Sequence, residues 1–398
     1  MIYVLTGQFI IYMDGNGQKG FFFIFTKHHP KEIMRSLVIF TLIVWQSAWA
    51  IDDPATLPIG SAAPDFTLPA VDGKTYSLKD FASYKILTIV FSCNHCPTAQ
   101  AYEDRVKQLV IDYKSKGVGV VVISPNDPLS VRLDELGYTD LSDSFEEMKI
   151  RAKDKAYNFP YLYDGETSAT SMKYGPQATP HVFIFDEKRL LRYTGRIDDG
   201  EKPGTAKTHD TRNALDAMVA GKPVPVEKTK TFGCSIKWPS KRDWADKAPA
   251  EWAKEKVAIE DLDVSQLKAL IKNEGQNYKL INVWATWCGP CVTEFPEFVN
   301  MNRMYRNREF ELVTISMDEM ERKPNALNFL TKKQASMKNY IFKGDKYAFI
   351  EALDKNWEGS LPYTLFIAPG GKIIYGKPGL VDPLALKKVI AENIGRIY

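Results

Sequence analysis

Two Cys-x-x-Cys pairs are the residues of this chain best suited to chemistry. Cys93 and Cys96 form the first pair, and Cys288 and Cys291 form the second. Each pair follows an apolar stretch and precedes helical periodicity, so we expect the first cysteine at a solvent-reachable helix N-terminus, where unpaired N–H groups favour the thiolate. Such a thiolate attacks disulfides, and the second cysteine resolves the mixed disulfide. The pairs predict thiol–disulfide exchange with Cys93 and Cys288 as nucleophiles.

Metal binding and haem attachment are the other uses of such pairs. A structural zinc site takes four ligands, whereas these two pairs belong to strand–helix units 195 residues apart. Haem attachment needs a histidine directly after the second cysteine, where this sequence has Pro97 and Val292. We therefore expect no metal, and thiol exchange needs no dissociable cofactor.

A proline beside each dithiol is the second feature that such chemistry uses. Pro180 and Pro362 stand before the later apolar strand of each half, where a cis peptide bond would expose the backbone of the preceding residue. Thr179 and Leu361 could then pair with an extended substrate segment by strand addition. These four positions are the predicted substrate-binding residues.

His95 distinguishes the two pairs, because it lies inside the first one. A positive imidazole would stabilise the Cys93 thiolate and make that disulfide more oxidising, whereas Gly289 and Pro290 offer no such group. We therefore predict that electrons flow from the CGPC pair to the CNHC pair.

The fifth cysteine, Cys234, is either a buried small apolar residue or a third redox thiol that exchanges with the first pair.

The elements around each pair repeat one plan. In both halves a buried strand, the cysteine pair, a helix, a second strand, further helix, a proline-led pair of strands and a closing helix follow one another. This order predicts an α/β protein of two similar domains. Together with the two cysteine pairs and the two prolines, it resembles the thioredoxin superfamily, and the resemblance implies two thioredoxin-like folds in tandem, each a mixed β-sheet flanked by helices. We place the domains at residues 51–225 and 251–398, with a connector at 226–250 that packs on the first domain and contains Cys234.

Composition agrees with this plan. A chain of 398 residues with 44% hydrophobic and 25% charged residues is globular and long enough for two or three domains. Its 52 basic and 49 acidic residues leave a net charge of +3, too small to predict a nucleic acid partner.

The first fifty residues form a leader rather than a domain. Residues 34–50 begin at Met34, continue with an apolar stretch and end in small residues, which predicts a signal peptide cleaved after Ala50. We take Met34 as the start and residues 1–33 as a start-site artefact. An uncleaved membrane anchor is the alternative, and both predict a periplasmic or other extracytoplasmic location, with a membrane-embedded electron donor as a potential partner.

The second half resembles the TlpA/ResA branch of the thioredoxin superfamily. The segment NVWATWCGPCVTEFPEF carries the resemblance, through Trp287, Cys288, Gly289, Pro290, Cys291, Glu294 and Pro296. The resemblance implies reduction of protein disulfides outside the cytoplasm, often in the service of cytochrome c maturation. The acid that thioredoxin sites often carry six residues before the first cysteine is Asn282 here, so Glu294 becomes the candidate for proton transfer.

The first half is similar to the AhpC/TSA-like redoxin group. Its APDFTL opening, its FSCNHCP site and the GCSIKW segment around Cys234 carry this similarity. Peroxiredoxins place Pro and Thr or Ser at fixed steps before the peroxidatic cysteine, where this chain has Ile86 and Val90. This difference argues against peroxidase activity.

The function that these observations predict is an exported thiol–disulfide oxidoreductase, an enzyme whose partners are protein thiols and disulfides. One alternative is a thiol peroxidase that the second domain reduces. The other is a binding or scaffold module in which one disulfide is structural.

Overall fold

The computed structural model describes residues 4–13, 19–28 and 53–395. Contacts divide the chain into the units Met1–Asp52 and Asp53–Tyr398. In the first unit, β1 (Val4–Met13) pairs antiparallel with β2 (Lys19–His28). The predicted signal peptide at 34–50 lies outside the described residues, as do Met34 and the cleavage position at Ala50. Within the described residues, no helix has the length and apolar character needed to cross a bilayer.

The first domain is built on a five-stranded sheet preceded by a short hairpin. The hairpin consists of β3 (Thr67–Pro69) and β4 (Thr75–Ser77), and the sheet strands are β5 (Ile86–Phe91), β6 (Val118–Ser124), β7 (Tyr161–Tyr163), β8 (His181–Phe185) and β9 (Leu191–Gly195). The sheet order is β7-β6-β5-β8-β9. The strands β5, β6 and β7 are parallel, whereas β8 runs antiparallel to both β5 and β9.

Helices cover this sheet, and for that reason its central strands read as continuous apolar runs. The helices are α1 (Pro97–Tyr113), α2 (Phe145–Asp154), α3 (Ala169–Tyr174) and α4 (Asp210–Val219). Every residue of β5 is buried. Val90 packs with Val106 and Leu109 of α1 on one face, while Ile89 and Phe91 belong to the core on the other face.

The connector packs on the first domain. Lys228 bridges to Thr194 of β9, and Cys234 bridges to Thr179 just before β8. The amide of Lys237 donates to Asn126 Oδ1 over 2.9 Å. Two short helices, α5 (Arg242–Ala245) and α6 (Lys247–Trp252), then lead into the second domain.

The second domain repeats the topology with one more edge strand. Its strands are β10 (Glu260–Leu262), β11 (Tyr278–Trp284), β12 (Phe310–Ser316), β13 (Lys338–Phe342), β14 (Tyr363–Ile367) and β15 (Ile373–Pro378), and its helices are α7 (Val264–Lys272), α8 (Gly289–Tyr305), α9 (Lys323–Lys332), α10 (Lys346–Leu353) and α11 (Pro383–Ile394). The sheet order is β10-β13-β12-β11-β14-β15. The predicted fold class, two thioredoxin-like α/β folds in tandem, is confirmed.

The two domains contact each other through a loop of the first and the C-terminal end of α8. Leu136 belongs to the same buried apolar cluster as Met304 and Tyr305. The Tyr305 hydroxyl donates to the carbonyl of Thr139 over 2.9 Å, and Lys388 pairs with Asp154 at 2.8 Å. Because α8 rises about 25 Å along its 17 residues, its N-terminal end lies far from these contacts.

Candidate active site

The second cysteine pair lies at the N-terminus of α8, as the sequence predicts. Cys288 is the N-cap residue, and its sulfur accepts a hydrogen bond from the amide of Cys291 over 3.3 Å. The two cysteines are joined by a disulfide. Cys288 is 7% exposed and Cys291 is 1% exposed, while the neighbouring Trp287 is 60% exposed. An exposed aromatic ring beside a helix N-terminus therefore marks the edge of this site.

A buried carboxylate holds the loop that leads into the CGPC motif. The amide of Thr286 donates to Asp318 Oδ2 over 2.9 Å, and its hydroxyl donates to Oδ1 over 2.6 Å. Ser316 at the end of β12 donates to the same carboxylate. Sequence reasoning missed Asp318, whose only sequence signal was its position two residues after the end of β12, the strand next to β11 in the sheet.

Glu294 lies one helical turn after Cys291, on the same face of α8. Its carboxyl is buried and accepts hydrogen bonds from Asn282 Nδ2 over 3.3 Å and from the amide of Val381 over 3.1 Å. Burial raises the pKa of Glu294. The group therefore keeps its proton to higher pH than an exposed glutamate, as a proton donor or acceptor near neutral pH must.

Both predicted prolines follow cis peptide bonds, Thr179–Pro180 and Leu361–Pro362. In the first domain, the Thr179 hydroxyl lies 3.3 Å from Cys93 Sγ, and its carbonyl oxygen lies 3.3 Å from Cys96 Sγ. In the second domain, Leu361 packs against the apolar cluster that contains the cysteine pair. The fold thus brings these residues to the dithiols from 70 or more positions along the chain.

The first cysteine pair has a different position relative to the start of its helix than the second pair has. Helix α1 begins at Pro97, and its N-cap residue is Cys96, whose sulfur accepts from the amide of Ala99 over 3.4 Å. The prediction that Cys93 occupies the helix terminus is therefore wrong. A proline favours the first turn of a helix. Pro97 follows the second cysteine, and this moves the helix start past Cys93, whereas Pro290 stands between the cysteines of the second pair.

The proton affinities of the first pair follow this placement. Burial raises the pKa of Cys93. Burial alone would also raise the pKa of Cys96, but hydrogen bonds from Cys234 and Cys93 and the charge of His95 lower it well below its usual value. As a thiol, Cys96 donates a hydrogen bond to the carbonyl oxygen of Thr179. As a thiolate, it accepts hydrogen bonds from the backbone amides of Ala99 and Cys234. The position of Cys96 at the N-terminus of α1 and its lowered pKa both favour Cys96 over Cys93 as the thiolate.

The first pair is also closed to solvent. Cys93 is 3% exposed and Cys96 is fully buried, and both pack against the half-buried Cys234. The amide of Cys234 donates to Cys96 Sγ over 3.4 Å. The expectation that both pairs are reachable from solvent therefore fails for the CNHC pair, because the connector covers it.

A buried ion pair organises the CNHC loop. His95 Nδ1 lies 2.5 Å from Asp143 Oδ2. Burial alone would lower the pKa of His95, but the charge and hydrogen bond of Asp143 raise it; burial alone would raise the pKa of Asp143, but the charge and hydrogen bond of His95 lower it. The His95 ring thus stands beside the thiols, with Nδ1 3.7 Å from Cys93 Sγ.

Asp143 also anchors the backbone of the motif. Its Oδ1 accepts from the amides of Asn94 and His95 over 2.8 and 3.0 Å, and its Oδ2 accepts from Asn126 over 2.7 Å. Sequence reasoning missed Asp143 and Asn126. The only sequence signal at Asp143 was the start of a helix, since Ser144 caps α2.

Cys93, His95 and Asp143 also place a sulfur, a nitrogen and an oxygen within 4.8 Å of one another, a spacing at which a metal ion can be held. Both oxygens of Asp143 already accept two hydrogen bonds each, and the sulfur of Cys93 contacts the Thr179 hydroxyl. Hydrogen bonding within the protein therefore accounts for this arrangement.

Two family models match the chain in succession. Residues 58–215 match the Redoxin family, and residues 244–376 match the AhpC/TSA family. The chain is also 30% identical over 118 residues to the thiol-disulfide oxidoreductase ResA of Oceanobacillus iheyensis, a match that covers 30% of this chain and 57% of that protein. It is 25% identical over 136 residues to the sporulation thiol-disulfide oxidoreductase A of Bacillus subtilis, covering 34% of this chain and 72% of the relative.

Solved structures include two similar proteins of undescribed function. The hypothetical protein SMc02350 from Sinorhizobium meliloti is 32% identical, with 46% of this chain and 96% of that chain covered and a TM-score of 0.41. An uncharacterized conserved protein from Geobacillus kaustophilus is 39% identical, with 46% and 92% covered and a TM-score of 0.41. The two successive family matches and the repeated sheet topology agree with the resemblance that the motifs carry. The chain belongs to the thioredoxin superfamily and carries two domains of that fold in tandem.

Proposed function

We propose that this protein is a thiol–disulfide oxidoreductase whose second domain exchanges disulfides with other proteins. The observation that carries the proposal is the pair Cys288–Cys291 at the N-terminus of α8, beside the exposed ring of Trp287. The resemblance to proteins named thiol-disulfide oxidoreductases supports the same chemistry.

The reaction at this site is a two-electron exchange. The Cys288 thiolate attacks a substrate disulfide, so that a mixed disulfide forms and one substrate thiolate leaves. The thiolate of Cys291 then attacks Cys288 Sγ, which releases the second substrate thiol and forms the Cys288–Cys291 disulfide. Glu294 accepts the proton of Cys291 in this step, because its pKa is raised and it lies one turn away on the same helix face.

The first domain would use the same chemistry with a different order of sulfurs. Cys96 attacks the substrate disulfide, because its sulfur accepts a hydrogen bond from the amide of Ala99 and its pKa is lowered. Cys93 then resolves the mixed disulfide. His95 contributes the positive charge that favours the thiolate. A protein substrate reaches this pair only if the connector moves away, since Cys234 and its neighbours cover it.

Export and electron transfer between the sites are further parts of the proposal. The leader at 34–50 supports an extracytoplasmic location, where a membrane-embedded donor would supply electrons. Cys288 stands at the opposite end of α8 from Tyr305, which contacts the first domain. Electrons that pass from the CGPC pair to the CNHC pair would therefore travel through a separate thiol carrier.

Reduction of insulin disulfides by the full chain, driven by dithiothreitol, tests the proposed activity. Wild-type protein should accelerate the reaction, and Cys288→Ser should abolish the acceleration because the attacking sulfur is lost. Asp104→Asn, at an exposed position of the first domain, is the control and should retain it. Equal acceleration by wild-type protein and Cys288→Ser would overturn the proposal.

A further inference from the structure

Three cysteines meet at the first site, although they come from two distant parts of the sequence. Cys93, Cys96 and Ala99 form a small buried cluster against which Cys234 packs. Cys234 approaches Cys96 from the connector: its amide donates to Cys96 Sγ over 3.4 Å, and a hydrogen bond from its side chain lowers the pKa of Cys96. The thiol of Cys234 is thus next to the sulfur that ionises first.

The connector lies where a substrate strand would lie. Thr179, the residue before the cis proline, is the position at which an extended substrate is expected to pair. Here Thr179 pairs antiparallel with Cys234, and the Thr179 amide donates to the Cys234 carbonyl over 3.0 Å. The connector therefore uses the backbone contact that a bound peptide would use.

Gly233 permits this close approach. Its φ of +137° is a conformation that favours glycine, and a Cβ at this position would lie 2.0 Å from the carbonyl oxygen of Thr179. Any side chain would push the connector off the site. The segment is thus shaped to sit against Thr179.

We propose that Gly233–Cys234–Ser235 is an internal substrate of the first site and that Cys234 is a third catalytic thiol. The inference rests on the proposed thiol–disulfide chemistry. Once the Cys93–Cys96 disulfide has formed, Cys234 attacks Cys96 Sγ. The Cys96–Cys234 bond forms, the Cys93–Cys96 bond breaks, and the proton of Cys234 passes to Cys93. The number of disulfides is unchanged, so the step needs no outside oxidant.

This exchange closes the site. A Cys96–Cys234 disulfide fixes the connector over Thr179, where an outside peptide would have to pair. Without that bond the connector is held only by non-covalent contacts and can move off the site, and a cavity of about 680 Å³ lined by residues 228–233, Gln177 and Ala178 provides space beside it. The first site therefore accepts a protein substrate only in its reduced, opened form.

Disulfide mapping in the full chain tests the bond itself. Cys93→Ser, equilibrated with glutathione buffers of graded oxidation, should form a Cys96–Cys234 disulfide that mass spectrometry of unreduced peptides identifies. Cys96→Ser is the matched control, and its yield of a Cys93–Cys234 disulfide should be lower. Absence of the Cys96–Cys234 disulfide at every glutathione ratio would overturn the inference. Insulin reduction by the same Cys93→Ser protein through Cys288 reports separately on the proposed function.

The rate of thiol labelling tests whether the connector covers the first site. Gly233→Ala should raise the rate at which a maleimide modifies Cys96 in the folded, reduced chain by about tenfold, because the new Cβ displaces the connector. Gly204→Ala is the control, since Gly204 also has a positive φ but has open space around its Cβ position. An unchanged rate in Gly233→Ala would contradict the idea that the connector covers the site.

Discussion

Cys96 and Cys288 occupy the same place relative to the helix that follows each of them. Each is the N-cap residue, and each sulfur accepts from the amide three residues later, over 3.4 Å at Cys96 and 3.3 Å at Cys288. One is the second cysteine of its motif and the other is the first. The two sites of this protein are therefore related by their helix ends and not by the order of their cysteines.

This relationship predicts which sulfur of the first site ionises at lower pH. In the reduced chain, modification of Cys96 by iodoacetamide should reach half of its maximal rate at a pH below the usual thiol pKa of about 8.5, and modification of Cys93 at a pH above it. Mass spectrometry of the modified peptides separates the two profiles. A profile in which Cys93 ionises first would contradict the assignment.

The charge of His95 predicts the order of the two reduction potentials. The first couple should be the more oxidising one, because the imidazolium and the surrounding amides stabilise its reduced, thiolate form. Each reduction potential can be measured by equilibration with glutathione in a full chain that carries Cys234→Ser and in which both cysteines of the other pair are replaced by serine. His95→Gln should lower the first potential and leave the second unchanged. A more oxidising CGPC couple would reverse the proposed direction of electron flow.

Asp143→Asn should destabilise the first domain in a pH-dependent way. The pKa of Asp143 is lowered, so its contribution to the free energy of unfolding is present above about pH 3.8 and is lost as the pH falls through the lowered value. The pKa of His95 is raised, so its contribution is complete below about pH 6.5 and is lost as the pH rises through the raised value. The loss should therefore be largest between these limits, at roughly 3–5 kcal/mol.

Chemical denaturation at several pH values measures this loss. The exposed Asp104 supplies the control, since Asp104→Asn should change the free energy of unfolding by less than about 0.5 kcal/mol. A loss for Asp143→Asn that stays the same from pH 5 to pH 9 would show that the ion pair does not contribute.

Glu294→Gln tests proton transfer at the second site. Burial raises the pKa of Glu294, so the wild-type rate of substrate release by Cys291 should rise with pH as this group loses its proton. The glutamine variant should lose that rise, and its rate should fall by about 10²-fold or more. Stopped-flow measurement of mixed-disulfide decay at several pH values gives both profiles. Glu297→Gln, three residues further along α8, is the control and should keep the wild-type profile.

Much of the fold could be predicted from local pattern. The apolar runs at β5 and β11, the cysteines directly after them and the later prolines depend on residues close in sequence, and the order of elements predicted two similar sheets. The start of α1 was missed although its signal, Pro97, was present.

The rest depended on contacts between distant residues. Asp143 reaches the CNHC loop from 48 positions away, and Cys234 reaches Cys96 from 138 positions away. No periodicity in the connector indicates that it lies on Thr179. The contact between Leu136 and the core of the second domain likewise joins residues that no local pattern relates.

The most direct test of the central claim is covalent capture at the second site. Cys291→Ser in the full chain, reduced and then mixed with an unfolded protein that contains a disulfide, should form a stable mixed disulfide through Cys288, which dithiothreitol releases and peptide mapping assigns. If no adduct forms, or if the adduct is attached at Cys96 while Cys288 remains a free thiol, the second domain is not the site of protein disulfide exchange.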